Sequence, residues 1–82
     1  MIMVDLEFPA LGKIYQFCLD EHMTTELTIN EVTEIICQKE HCSFQGNRSE
    51  LMLCSKTNEC FLNKRMTLID QGVKTADCLI LL

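Results

Sequence analysis

Residues 67–82, TLIDQGVKTADCLILL, constrain the fold more than any other part of this 82-residue chain. A short polar turn or helix carries Thr67, Leu68 and Asp70, and Gly72-Val73 opens a connector. An apolar strand over residues 78–82 follows. Strand side chains alternate, so Leu79 and Leu81 share one face while Ile80 and Leu82 share the other. Such a strand needs neighbours, and the start of the chain supplies them. Ile2, Val4, Leu6 and Phe8 alternate with Met3, Asp5 and Glu7, the pattern of a sheet with one buried face. Pro9 stops that strand and Gly12 relieves the bend. A second strand over 13–19 sends Tyr15, Phe17 and Leu19 inward and Gln16 and Cys18 outward, which makes the pair a β-hairpin.

After a polar loop at 20–26, Thr28 and Glu31 form a capping box in which each side chain bonds the other's backbone N–H. Leu27 and Val32 stand where a hydrophobic staple belongs. Ile29, Val32, Ile36 and Cys37, widened by Ile35, make an apolar stripe with Thr33, Glu34, Gln38 and Glu40 as polar neighbours. This spacing predicts a helix of about fourteen residues, long enough to cross a small sheet, ending near His41 or Cys42 and before Gly46. A third strand over 51–54, a turn at 55–59 and a short fourth strand over 60–62 complete the series. The order ββαββ, a local turn, then β packs one helix across one face of a mixed five-stranded sheet. The expectation is an α+β roll over residues 1–82 as a single domain, with the first and last strands parallel at its centre.

Length allows one modest core, because a chain this small buries roughly 60–65% of its unfolded surface. The net charge is −5, from 12 acidic and 7 basic residues, and the largest basic cluster is Lys64-Arg65. Phosphate neutralisation drives nucleic-acid binding, so nucleic acid and anionic membrane surfaces are expected to be disfavoured. The N-terminal MIMVDLEF has no basic region of the kind that opens a signal peptide, and no apolar run approaches a membrane span, so no direct membrane insertion is expected. A cytoplasmic location follows as an expectation. Without an export signal the six cysteines read as reduced thiols, and their irregular spacings give no CxxC zinc knuckle.

With the order of elements established, the chain resembles the ubiquitin superfamily of β-grasp folds. More narrowly it resembles the small bacterial YukD/EsaB group. The residues that carry this are Thr67-Leu68, Asp70, Gly72-Val73, Asp77 and the Leu79-Ile80-Leu81 ending, with the Ser49-Glu50-Leu51-Met52-Leu53 strand and the capped helix in matching order. The resemblance implies a ubiquitin-like protein-interaction module that is not conjugated. It further implies an accessory or regulatory component of the type VII secretion apparatus of Gram-positive bacteria, which exports WXG-type proteins. The partner it implies is a membrane or ATPase subunit of that machinery. A sulfur carrier or modifier of the ThiS/MoaD type is the rival reading, disfavoured because the sequence ends on Leu82 without Gly-Gly. A cysteine-based redox or metal sensor is a third.

If Leu51 and Leu53 face the helix, Met52 faces away, as do Ile80 and Leu82. The resemblance makes the third and fifth strands neighbours, so Met52, Ile80 and Leu82 are expected to form one exposed apolar patch. Ubiquitin binds its partners with the matching face, which has an isoleucine at the place of Met52. Methionine adapts its unbranched chain to different partners. Scattered exposed apolar residues need no purpose, but three together mark a contact surface. Such a face is also compatible with a two-fold homodimer.

Other chemistry has less to stand on. Cys37 and His41 lie four apart, with Cys42 adjacent, but structural zinc wants four ligands and Cys37 already serves the apolar stripe. No metal or cofactor is expected. Neither His22 nor His41 is brought near a nucleophile with an orienting third group, and Gly12, Gly46 and Gly72 are isolated rather than a phosphate loop. No catalytic residue is assigned, and an enzyme is not expected. Asp5 and Glu7, with Glu26, Glu31 and Glu34, read as a solvated surface able to steer a basic partner.

Overall fold

Alternating apolar residues at the two ends of the chain build a sheet of order β2-β1-β5-β3-β4 in a computed structural model that describes residues 1–41 and 50–82. β1 (Ile2–Phe8) and β2 (Lys13–Leu19) form an antiparallel hairpin in full register, from Ile2 opposite Leu19 to Phe8 opposite Lys13. The bend between them needs Gly12, whose φ is +64°, a region that costs a side-chain-bearing residue strain. β5 (Cys78–Leu81) lies parallel to β1 and antiparallel to β3 (Leu53–Ser55), and β4 (Cys60–Phe61) closes the far edge. The expected α+β arrangement, with first and last strands parallel at the centre, is the one found.

The inner face obeys the alternation. Val4, Leu6, Phe8, Tyr15, Phe17, Leu19, Leu53, Leu79 and Leu81 are buried there. Ile29, Val32 and Ile36 of the helix α1 (Thr25–Lys39) join them in one core, together with Leu51, Leu62, Leu68 and Val73. At the 3₁₀ turn Ile69–Gln71, Gly72 takes φ +78° and ends the turn, as a left-handed glycine ends a helix.

The helix departs from expectation at its start and in its rotation. It begins at Thr25, and the cap is Thr24, whose hydroxyl accepts the Leu27 N–H at 3.3 Å. The expected Thr28–Glu31 box and Leu27–Val32 staple are therefore not formed: Thr28 is buried within the helix and Leu27 is 54% exposed. The reason is tertiary. The N–H groups of Thr25 and Glu26 donate to the carbonyls of Met66 and Lys64, at 2.9 and 3.1 Å, so a distant loop satisfies donors that a helix start leaves free. Thr24 also bridges Thr67. Gln71 fastens the same junction. Its carboxamide donates to Thr25 Oγ1 at 2.9 Å and to the Thr67 carbonyl at 3.2 Å, and accepts from the Asn63 N–H.

The buried stripe runs through Thr25, Thr28, Ile29, Val32, Thr33 and Ile36 rather than toward Ile35, which is exposed. Threonine can enter this face because its hydroxyl bonds back into its own helix: Thr28 donates to the Thr24 carbonyl and Thr33 to that of Ile29, at 2.9 and 2.7 Å. The helix ends at Lys39. Beyond it, Lys13 and Tyr15 donate to the two carboxylate oxygens of Glu40 at 2.7 and 2.9 Å, tying this end to β2. The expected features at Cys42, Gly46 and Ser49 lie outside the described residues. Among the described residues no helix is long and apolar enough to cross a membrane.

Candidate functional site

The outer face of the sheet has two unlike halves. Toward β2 and β1 it carries Met3, Asp5, Glu7, Ile14, Gln16 and Cys18, a mixed surface. Toward β5, β3 and β4 the same face becomes apolar. The register sets one row across it: Ile14 opposite Glu7, Glu7 beside Ile80, Ile80 opposite Cys54, and Cys54 opposite Phe61. Residues directly opposite in a sheet point the same way, so this row is a surface feature rather than a coincidence of sequence.

Met52, Ile80 and Leu82 lie together as expected. Met52 precedes β3 and Leu82 follows β5, yet each donates its N–H to the other's carbonyl at 2.8 Å, which extends the ladder by one pair. The third strand is thus shorter than 51–54 by ordinary strand definition while Met52 still occupies a strand position. Leu51 and Leu53 on either side are buried, which turns the Met52 side chain outward at 42% exposure. Leu82 is 54% exposed, and Ile80, between Glu7 and Cys54, is half-buried. These three residues form a continuous apolar band on β3 and β5.

Phe61 is the member that sequence reading missed. It is 63% exposed on β4, next to Cys54, and enlarges the band to the edge of the sheet. A two-residue strand shows no alternation, so nothing local assigns Phe61 a face; its pairing with Cys54 does. Between Phe61 and Ile80 the surface dips into an open hollow of about 320 Å³, bordered also by Cys54, Cys60, Lys56 and Glu59. Burial, and to a smaller degree the neighbouring Cys60, push the Cys54 thiol above its ordinary pKa. At neutral pH it therefore stays protonated and adds apolar surface to the hollow, while offering little thiolate for nucleophilic chemistry.

The remaining cysteines and histidines are scattered over separate elements. Cys18, Cys37, Cys54, Cys60 and Cys78 are free thiols, and among the described residues no group of three or more His, Cys, Asp or Glu converges on a metal position. His41 lies past the helix end with φ +53°, so Cys37 and His41 do not share the helical i, i+4 placement that a metal pair would use; Cys42 is outside the described residues. The His22 ring lies 3.6 Å from the Glu21 carboxylate, and its backbone N–H donates to Asp20 at 2.9 Å.

No protein-family model and no curated protein matches this sequence. Solved structures do. The ubiquitin-like domain of the Arabidopsis thaliana protein At2g32350 matches with a TM-score of 0.74 at 13% identity, over 99% of this chain and 74% of that one. The N-terminal ubiquitin-like domain of the 4931431F19Rik protein gives 0.71 at 18% identity, over 99% and 72%. A chain of the toluene 4-monooxygenase HD complex with the inhibitor 4-bromobenzoate gives 0.78 at 10% identity, over 98% and 94%. At such identities the likeness speaks for the backbone alone. It agrees with the strand order and the single packed helix: the chain has the ubiquitin-like β-grasp fold.

Proposed function

We propose that this chain is a protein-interaction module that docks through the apolar half of its outer sheet face, using Met52, Ile80 and Leu82 together with Phe61. The observation that carries the reading is the clustering of these four side chains on β3, β4 and β5, exposed or half-exposed, opposite a fully packed inner face. A contiguous apolar patch rimmed by polar residues is the usual mark of a contact surface. The chain's role is binding rather than catalysis, and it acts in the cytoplasm without conjugation to a target.

The setting we propose is a bacterial type VII secretion system, with a membrane or ATPase subunit as partner. Its support is the resemblance of the Thr67-Leu68, Asp70, Gly72-Val73 and Leu79-Ile80-Leu81 pattern to the YukD/EsaB group. Affinity capture of the tagged protein from its native cells, beside the Met52→Asp form, tests both parts. Recovery of secretion subunits by the parent alone supports the reading. Recovery of sulfur-transfer enzymes, with an intact mass showing a modified C-terminus, points to a carrier instead. Equal capture by both forms removes Met52 from the interface.

A further inference from the structure

The hollow between Phe61 and Ile80 has a floor and a rim of different character. Phe61, Ile80 and the protonated thiol of Cys54 make the floor apolar. Ser55 also borders it, but its hydroxyl oxygen accepts the Asn58 N–H at 3.1 Å within the turn. Among the described residues no set of fixed polar groups converges on the space, as a site for a small polar ligand requires. An open apolar hollow of about 320 Å³ instead suits one bulky side chain of a protein partner.

The rim adds a sign. Its two charged residues are Lys56 and Glu59. The Lys56 ammonium lies 3.7 Å from Glu7 and is partly neutralised there. Glu59 has no ion-pair partner among the described residues; it stands at the end of the β3–β4 turn with φ +55°. The unanswered charge beside the hollow is therefore negative, and so is that of the whole chain, at −5.

We propose, building on the docking reading above, that this hollow receives an aromatic or long aliphatic anchor of a basic partner segment, with a Lys or Arg of that segment answering Glu59. A second copy of this chain is the poorer occupant, since it brings a like net charge and its own unpaired Glu59 to the contact. An acidic partner meets the same repulsion. Charge at the rim selects the partner and speeds encounter, while the anchor in the hollow supplies most of the affinity.

Selection of phage-displayed random peptides on the full chain, followed by NMR titration of synthetic copies, tests this. The expected sequences combine an aromatic or long aliphatic residue with Lys or Arg nearby, and their binding shifts the amide signals of Cys54, Phe61 and Ile80. Phe61→Ala weakens them about thirtyfold, as loss of the surface that packs against a hot-spot anchor does. Glu59→Lys weakens them about tenfold and flattens the salt dependence, and a peptide with its basic residue changed to Glu recovers binding to that variant. Glu59 is exposed, and circular dichroism of Glu59→Lys and Glu59→Gln verifies that both remain folded. Enrichment of acidic or uncharged peptides, unchanged affinity in Glu59→Lys, or a concentration-dependent dimer that perturbs Phe61 overturns the proposal. Peptides that shift Met52 and Leu82 but not Phe61 remove the anchor site and leave the docking face standing. Peptides that shift none of these residues remove both.

Discussion

Leu79 and Ile80 are neighbours on β5 with opposite circumstances. Leu79 is fully buried beneath the helix, while Ile80 lies half-exposed on the other face between Glu7 and Cys54. The same contrast separates Leu53 from Met52 and Leu81 from Leu82. On the inner face each apolar side chain is packed on all sides, so its removal leaves a cavity as well as lost burial. On the outer face Met52 and Leu82 are exposed and Ile80 is half-buried. Folding therefore draws on one face, and the other keeps apolar surface that a partner can still cover. Mutations of adjacent residues should separate stability from binding.

The largest effect should come from testing that separation directly. Leu79→Ala should cost about 2–5 kcal/mol in urea unfolding, whereas Ile80→Ala should cost less than about 1 kcal/mol. Equal losses would mean the outer face is core and end the comparison. Next is the cover itself. Gln71 joins the helix start to residues 63–67, and Gln71→Ala removes two partly buried hydrogen bonds and an exposed one, at a cost of about 1–3 kcal/mol. Hydrogen exchange at the first helical turn should rise with it; exchange that stays at the parent rate would show that the Met66 and Lys64 carbonyls suffice.

A smaller gain is available in the turn that feeds β5. Ala76 takes φ +76° as the third residue of a turn closed by the Asp77 N–H on the Lys74 carbonyl, at 3.1 Å. Glycine suits that position, so Ala76→Gly should stabilise by about 0.5–1 kcal/mol, once the extra chain entropy of glycine is offset. A lower melting temperature would contradict this account of the turn. The smallest effect concerns the other end of the helix. The Lys13 ammonium, then the Tyr15 hydroxyl, hold the Glu40 carboxyl below its ordinary pKa of 4.5. A depressed carboxylate pKa contributes stability above the unfolded value and loses it as pH falls through the folded one. The melting-temperature gap between the parent and Glu40→Gln should thus be steady near neutrality and close as pH drops below about 4.5. The pair is exposed, so the gap itself should be small and should shrink in salt. A gap that widens in acid would reverse the assigned sign.

Much of this protein was legible in its sequence. Alternation in residues 2–8, 13–19 and 78–82 assigned Leu79 and Leu81 to the core and Ile80 and Leu82 to the outside, because a strand's two-residue period is a local property of the backbone. The same period turned Met52 outward between Leu51 and Leu53. The helix was visible, but its first turn was not: the sequence pointed to a cap at Thr28, and the Met66 and Lys64 carbonyls, some forty residues away, favour a start capped by Thr24 instead. Its rotation also escaped, since Thr28 and Thr33 look polar until their hydroxyls are bonded back to the helix. Phe61 gained a face only through cross-strand pairing, as two residues define no period. What the sequence by itself determined is which side chains each strand sends to which side. Only the tertiary structure decided where the helix starts, which of its faces is buried and how far the apolar band extends, because those outcomes depend on hydrogen bonds and pairings between segments remote in the chain.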